Sequence, residues 1–249
     1  MFKCDPLSGT CVLPETQTES VPAMLQEQSD VKVRYIGDPM CSWCWGIAPT
    51  LKQLAAYCAQ NRLDFTVTVG GLRAGGGDEW NTTFKTFLRH EWEQIQRTTG
   101  QPFGFSLLER SDFNYDTEPA CRAVVTVSNL LLKQPDRYNT VLTFFSDIQQ
   151  KFYVDGFDPK EVEFYADLCQ KVGIRYEDFR AEFLSSQAIQ ATLQQFALTR
   201  RWGVRGFPSI LLEQNGETSL LASGYISYDA LITRLEEELQ GPSNERPSR

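Results

Sequence analysis

Cys41 and Cys44 stand three residues apart in "GDPMCSWCWG", directly after the alternating run "VKVRYIG". Thiols at that spacing suit half of a metal site or a dithiol that cycles through a disulfide. A structural zinc site takes about four ligands, usually two such pairs or one pair with histidines. This chain offers one C-x-x-C pair and one histidine, His90, which lies in a helix-like run and reads as a surface or satisfied core residue. Cys4 and Cys11 could in principle complete a four-thiolate site, but their six-residue gap exceeds the usual spacing of roughly two to four. Redox chemistry without a metal or organic cofactor is the better reading.

The position of the pair gives that chemistry a physical basis. At a strand-to-helix joint, unpaired N–H groups and the positive end of the helix dipole favour an anion, so Cys41 is expected to ionise below an ordinary thiol. Cys41 is then the attacking thiolate. Cys44, on the same side of the first turn, is placed to attack a mixed disulfide formed on Cys41 and so to resolve it. Trp43 and Trp45 offer apolar surface to an unfolded substrate, or cover core.

The elements that must hold the pair can be read from periodicity. Val31, Val33 and Tyr35 alternate with Lys32 and Arg34 as in a strand, and Ile47, Leu51, Leu54, Ala55 and Cys58 recur at helical spacing. Pro49 should kink that helix. "LDFTVTVGG" adds a second strand, giving β-α-β, the unit of a parallel pair. From 78 to 202 the apolar spacing is helical, with Pro119, Pro135 and Pro159 suited to first turns. "SILLEQNGETSLLAS" then centres a hairpin on Asn215-Gly216, and Ser227 caps a last helix carrying Leu231, Ile232, Leu235 and Leu239. The expected organisation is an arm over 1–29, an α/β domain from 30–77 and 203–240, a helical insertion over 78–202 and a frayed tail over 241–249.

Composition excludes several functions. The chain has 249 residues, 41% hydrophobic and 12% aromatic, enough for a sizeable core. A formal net charge of −8 argues against a nucleic-acid partner, which clustered Lys and Arg would mark. No apolar run is long enough to span a bilayer and the first residues lack a signal-peptide core, so no membrane partner and a cytoplasmic setting are expected. The seven cysteines are irregularly spaced, unlike a secreted disulfide framework, and Cys58, Cys121 and Cys169 sit in apolar helical patterns as buried structural thiols.

The pairing of "CSWCWGIAP" with "VRGFPSILLEQNG" across a helical insertion resembles the thioredoxin superfamily and, within it, the DsbA family, most closely its cytosolic FrnE-like branch. The resemblance covers about 31–240. It implies an α/β thioredoxin fold, β-α-β and β-β-α in one mixed sheet with an inserted helical domain. It also implies Cys41 as nucleophile, Cys44 as resolver, and a cis Phe207-Pro208 loop that binds the substrate chain beside them. The Ser42-Trp43 dipeptide departs from the histidine-containing one of strongly oxidising members. The expected function is thiol-disulfide exchange, as reductase or isomerase, on a protein or small disulfide with a thiol electron donor. Two alternatives stay open. One is a glutathione-dependent kappa-type transferase or isomerase, a class that resembles this scaffold but carries a serine in place of the thiol pair. The other is a chaperone or binding protein latched by its thiols, with Gly70-Gly71 and Gly75-Gly76-Gly77 as a flexible lip. Cys4 and Cys11 flank "DPLSGT", a turn-forming run that could close a small loop, and are a possible second redox pair or free surface thiols.

Overall fold

The computed structural model describes residues 31–240 in full, together with the backbone of Lys3–Asp5 and Thr10–Val12. The rest of the expected arm, the turn within "DPLSGT" and the tail at 241–249 lie outside the described residues. The segment read as an arm contains two short strands, β1 (Lys3–Asp5) and β2 (Thr10–Val12), paired antiparallel. Three-residue strands carry too little alternation to be read locally.

The alternating run forms β3 (Val31–Gly37), and the helical spacing after it forms α1 (Ser42–Gly46) and α2 (Ala48–Gln60). The sequence suggests one helix kinked at Pro49. Instead the chain breaks at Ile47, and Pro49 falls in the first turn of α2, where its missing N–H has no partner to lose. The dithiol therefore sits on a short helix of its own. β4 (Asp64–Val69) pairs parallel with β3, which completes the crossover unit.

The insertion comprises α3 (Thr82–Thr99), α4 (Glu118–Leu130), α5 (Arg137–Tyr153), α6 (Ala166–Lys171), α7 (Tyr176–Phe183) and α8 (Ser186–Arg201). Pro119 lies in the first turn of α4 as expected. Pro135 precedes the cap residue Asp136 of α5, and Pro159 stands in a turn before a 3-10 segment at Val162–Tyr165, so neither proline opens its helix. The short α7 buries only Phe179 and Phe183.

The chain returns through β5 (Gly206–Phe207), β6 (Ser209–Gln214), β7 (Glu217–Ser223) and α9 (Tyr228–Gln240). The main sheet has the order β4-β3-β6-β7, with β6 antiparallel to both β3 and β7. Asn215 and Gly216 take φ of 53° and 78°, as a two-residue hairpin turn of type I′ requires. Ser227 accepts the Ala230 N–H at 3.4 Å and so starts α9. This is the mixed α/β sheet with an inserted helical domain that the sequence suggests.

Packing ties the insertion to the sheet. α5 lies over β3 through an edge contact of Phe145 with Tyr35, ring centroids 5.6 Å apart. α8 covers the open edge of β4, where the Val69 N–H donates to Gln195 Oε1 at 2.9 Å and Thr199 donates to the Val69 carbonyl at 3.4 Å. α2 and α9 pack on each other, with Leu54, Leu231 and Leu235 fully buried. Among the described residues no helix is long and apolar enough to cross a membrane.

Candidate active site

Asp38 turns the end of β3 into α1. Its Oδ1 accepts the Met40 N–H at 2.8 Å, an Asx-type turn, while its Oδ2 accepts the Leu72 N–H at 2.6 Å from the loop after β4. The Cys121 thiol of α4 donates to the same oxygen at 3.4 Å. Burial holds the Asp38 carboxyl above the usual carboxylate range, against the lowering effect of these bonds and of Thr117. This buried acid is not among the residues singled out in sequence. An acidic residue before a proline signals a turn, but not that the turn will be closed over by α4 and the Leu72 loop.

The turn delivers Cys41 to the N-cap position of α1, where its carbonyl accepts the N–H groups of Cys44 and Trp45 at 2.9 and 3.2 Å. Cys41 and Cys44 are both free thiols and both fully buried. The Cys41 thiol donates to the Phe207 carbonyl at 3.7 Å. The Phe207-Pro208 bond is cis, as expected, and this brings the carbonyl of a residue 166 positions away beside the dithiol. Ser209 Oγ donates to the Gly206 carbonyl at 2.8 Å and the Gly224 N–H to the Pro208 carbonyl at 2.8 Å, so the loop is held from both sides. Gly70 lies under the Phe207 ring, and a Cβ there would overlap it.

Two expectations are corrected. Cys41 is expected to ionise readily at a helix start, yet burial pushes its thiol well above the ordinary value, with the neighbouring Cys44 and Asp38 adding to the shift. A helix of five residues supplies little dipole against full desolvation. Trp43 and Trp45, read as surface for a substrate or as cover for the core, are 2% and 6% exposed, which excludes the first. Trp43 packs towards Tyr225, ring centroids 6.1 Å apart, and Trp45 Nε1 donates to the Pro102 carbonyl at 2.9 Å. Gln101 Nε2 returns a bond to the Trp45 carbonyl at 2.9 Å. The tryptophans clamp α1 between sheet and insertion; they do not face outward.

The other thiols among the described side chains behave as core. Cys58, Cys121 and Cys169 are fully buried, and burial pushes Cys58 and Cys169 up to about 12. The His90 side chain is 69% exposed. The phenol of Tyr35 lies against Cys44; burial first, then that thiol, raises its pKa well above the usual phenol value. Tyr115, from the insertion, donates to the Met40 carbonyl at 3.0 Å and fixes the turn from the other side.

A pH experiment reads this environment. In the reduced chain, alkylation of Cys41 followed by peptide mapping is expected to climb about tenfold per pH unit through neutrality, because only the thiolate reacts. No plateau is expected below the free-thiol value of about 8.5. Asp38→Asn removes a negative charge that opposes the thiolate, so its profile should lie at lower pH. A plateau in the acidic range of the native chain would show that the helix start outweighs burial.

The arrangement is a dithiol at a strand-to-helix turn facing a cis-proline loop, on a thioredoxin sheet with a helical insertion. No family model and no curated protein matches the chain. Solved structures do. A candidate protein disulfide isomerase from Nitrosomonas europaea is 34% identical, with a TM-score of 0.75 over 84% of this chain and 98% of that one. The cytosolic disulfide reductase DsbM from Pseudomonas aeruginosa is 27% identical, with a TM-score of 0.67 over 84% of this chain and 98% of that one. A 2-hydroxychromene-2-carboxylate isomerase, 13% identical with a TM-score of 0.53 over 84% of this chain and 94% of that one, shares the fold alone. The chain belongs to the DsbA-like oxidoreductases of the thioredoxin superfamily and is an enzyme of thiol-disulfide exchange.

Proposed function

We propose that this enzyme reduces or isomerises disulfides through the Cys41-Ser42-Trp43-Cys44 dithiol, in a reducing cytoplasm, with a small thiol as electron donor. The observation that carries the reading is the Cys41 thiol set at 3.7 Å from the Phe207 carbonyl, beside the cis peptide. A sulfur attacked by Cys41 would belong to a chain lying along that loop, where backbone groups can hold an extended substrate whatever its side chains.

The thiolate of Cys41 attacks one sulfur of the substrate disulfide; a mixed disulfide forms and the other substrate sulfur leaves as thiolate. Cys44, as thiolate, then attacks Sγ of Cys41. The enzyme disulfide forms, the second substrate thiolate leaves, and two electrons have passed to the substrate. In isomerisation the freed substrate thiolate attacks a second substrate disulfide, and the thiolate displaced there attacks the substrate sulfur of the mixed disulfide, so that Cys41 leaves as thiolate. Burial favours the neutral thiol at rest, and over the cycle the two protons of the dithiol end on the two departing substrate thiolates. The direction is supported by DsbM, a cytosolic disulfide reductase, one structure of which contains glutathione; that structure is 26% identical to this chain.

The test is the equilibrium potential of the Cys41/Cys44 pair in glutathione redox buffers, with insulin reduction measured alongside. A value on the reducing side of about −200 mV together with insulin turnover is expected. A potential near the −120 mV or so of a strong oxidant would reverse the direction, and absence of turnover with any thiol donor would remove the dithiol from the mechanism.

A further inference from the structure

The loop that should receive a substrate strand already carries one from this chain. β2 adds antiparallel to β5, with Cys11 opposite Phe207 and Val12 opposite Gly206, in a three-stranded sheet of order β1-β2-β5. Phe207 is the residue whose carbonyl meets the Cys41 thiol at 3.7 Å. The register position opposite it is therefore where a strand laid on this edge comes level with the nucleophile, and the residue there is a cysteine. On the next strand out, Cys4 stands directly opposite Cys11. Directly opposed residues of an antiparallel pair have Cα atoms about 4.5 to 5.5 Å apart, inside the range of roughly 4.4 to 6.8 Å that a disulfide spans.

We propose that the β1–β2 hairpin is a resident strand on the substrate edge, and that its Cys4–Cys11 couple exchanges disulfides directly with Cys41 and Cys44. This rests on the dithiol being the exchange centre. The Phe207 backbone, expected to bind the substrate chain, already has a strand partner in place. Cys41 is also fully buried. An outside disulfide reaches Cys41 once β2 leaves β5, whereas Cys11 already holds the register position opposite Phe207.

The exchange balances within one chain. With Cys4 and Cys11 joined, the Cys41 thiolate attacks Sγ of Cys11, the Cys11–Cys41 bond forms, and Cys4 leaves as thiolate. Cys44 attacks Sγ of Cys41, Cys11 leaves as thiolate, and two electrons have moved from the Cys41/Cys44 dithiol to the hairpin. A small thiol can then reduce the Cys41–Cys44 disulfide. Reversal hands the electrons back.

The full-length Cys44→Ser chain tests this, since the second step is blocked. After exposure to oxidised glutathione, acid quench and alkylation, peptide mapping without reductant should find Cys11 linked to Cys41 and Cys4 alkylated. The linked fraction should not change on roughly tenfold dilution, because the tether sets the local concentration. If serine is not tolerated at this buried position, Cys44→Ala gives the same reading. Glutathione on Cys41 with Cys4 and Cys11 either still joined or both alkylatable would overturn the proposal and leave the dithiol as exchange centre intact. A Cys4–Cys41 link would overturn the register. Neither link nor adduct on Cys41, with no insulin reduction by the native chain, would bring down the dithiol reading as well.

Discussion

Cys41→Ser is expected to bring insulin reduction down to the uncatalysed background, whereas Cys44→Ser should complete the first exchange and stop there. Both are best made on a chain whose Cys4 and Cys11 are serine, so that only external disulfides can be captured. The asymmetry follows from position. Cys41 is the cap residue whose sulfur faces the cis-proline loop, while Cys44 lies one turn inside α1 against the phenol of Tyr35. Losing the first removes the nucleophile. Losing the second removes only the internal thiol that releases it, and a covalent adduct of enzyme and substrate accumulates. Mass spectrometry of the quenched reaction measures that adduct. Equal trapping by both variants would mean that either sulfur can attack, and full activity of Cys41→Ser would take the site away from this dithiol.

Gly70→Ala should cost nearly as much activity without touching a thiol. Gly70 follows β4, and its missing side chain is the space filled by the Phe207 ring. Phe207 is fully buried, so its ring cannot swing into solvent to admit a methyl group. The backbone of β5 must then shift, and with it the carbonyl that meets Cys41. Overpacking of this kind costs about 1 to 3 kcal/mol of stability, and exchange should fall by roughly tenfold or more because the loop no longer lies level with the nucleophile. Phe207→Leu in the same chain gives back the space and should recover much of both losses. Thermal unfolding separates the effects. A folded Gly70→Ala chain with unchanged exchange would show that the Phe207 backbone does not position the reaction.

What was legible in the sequence was what short-range physics encodes. The Asn215-Gly216 turn is decided by which residues tolerate positive φ, β3 by alternation, and the joint at Cys41 by a change of period within ten residues. The thiol spacing and the placement of Phe207-Pro208 before a strand are equally local, and with the resemblance they carried the fold and the reading of Cys41 and Cys44. The tertiary structure decided everything that depends on what comes to lie beside a residue. Desolvation of Cys41 reverses the expected direction of its ionisation, and it is produced by elements brought from far along the chain. Trp43 and Trp45 are interior because the insertion supplies Pro102 and Gln101 to hold the second of them. Asp38 becomes a buried junction because Leu72 and Cys121 converge on one oxygen. The hairpin is the sharpest case: β1 and β2 have no alternation or length of their own, and β2 is held by the open edge of β5, nearly the whole chain away. Strand addition is satisfied by backbone groups that every residue carries, so no choice of side chains announces it.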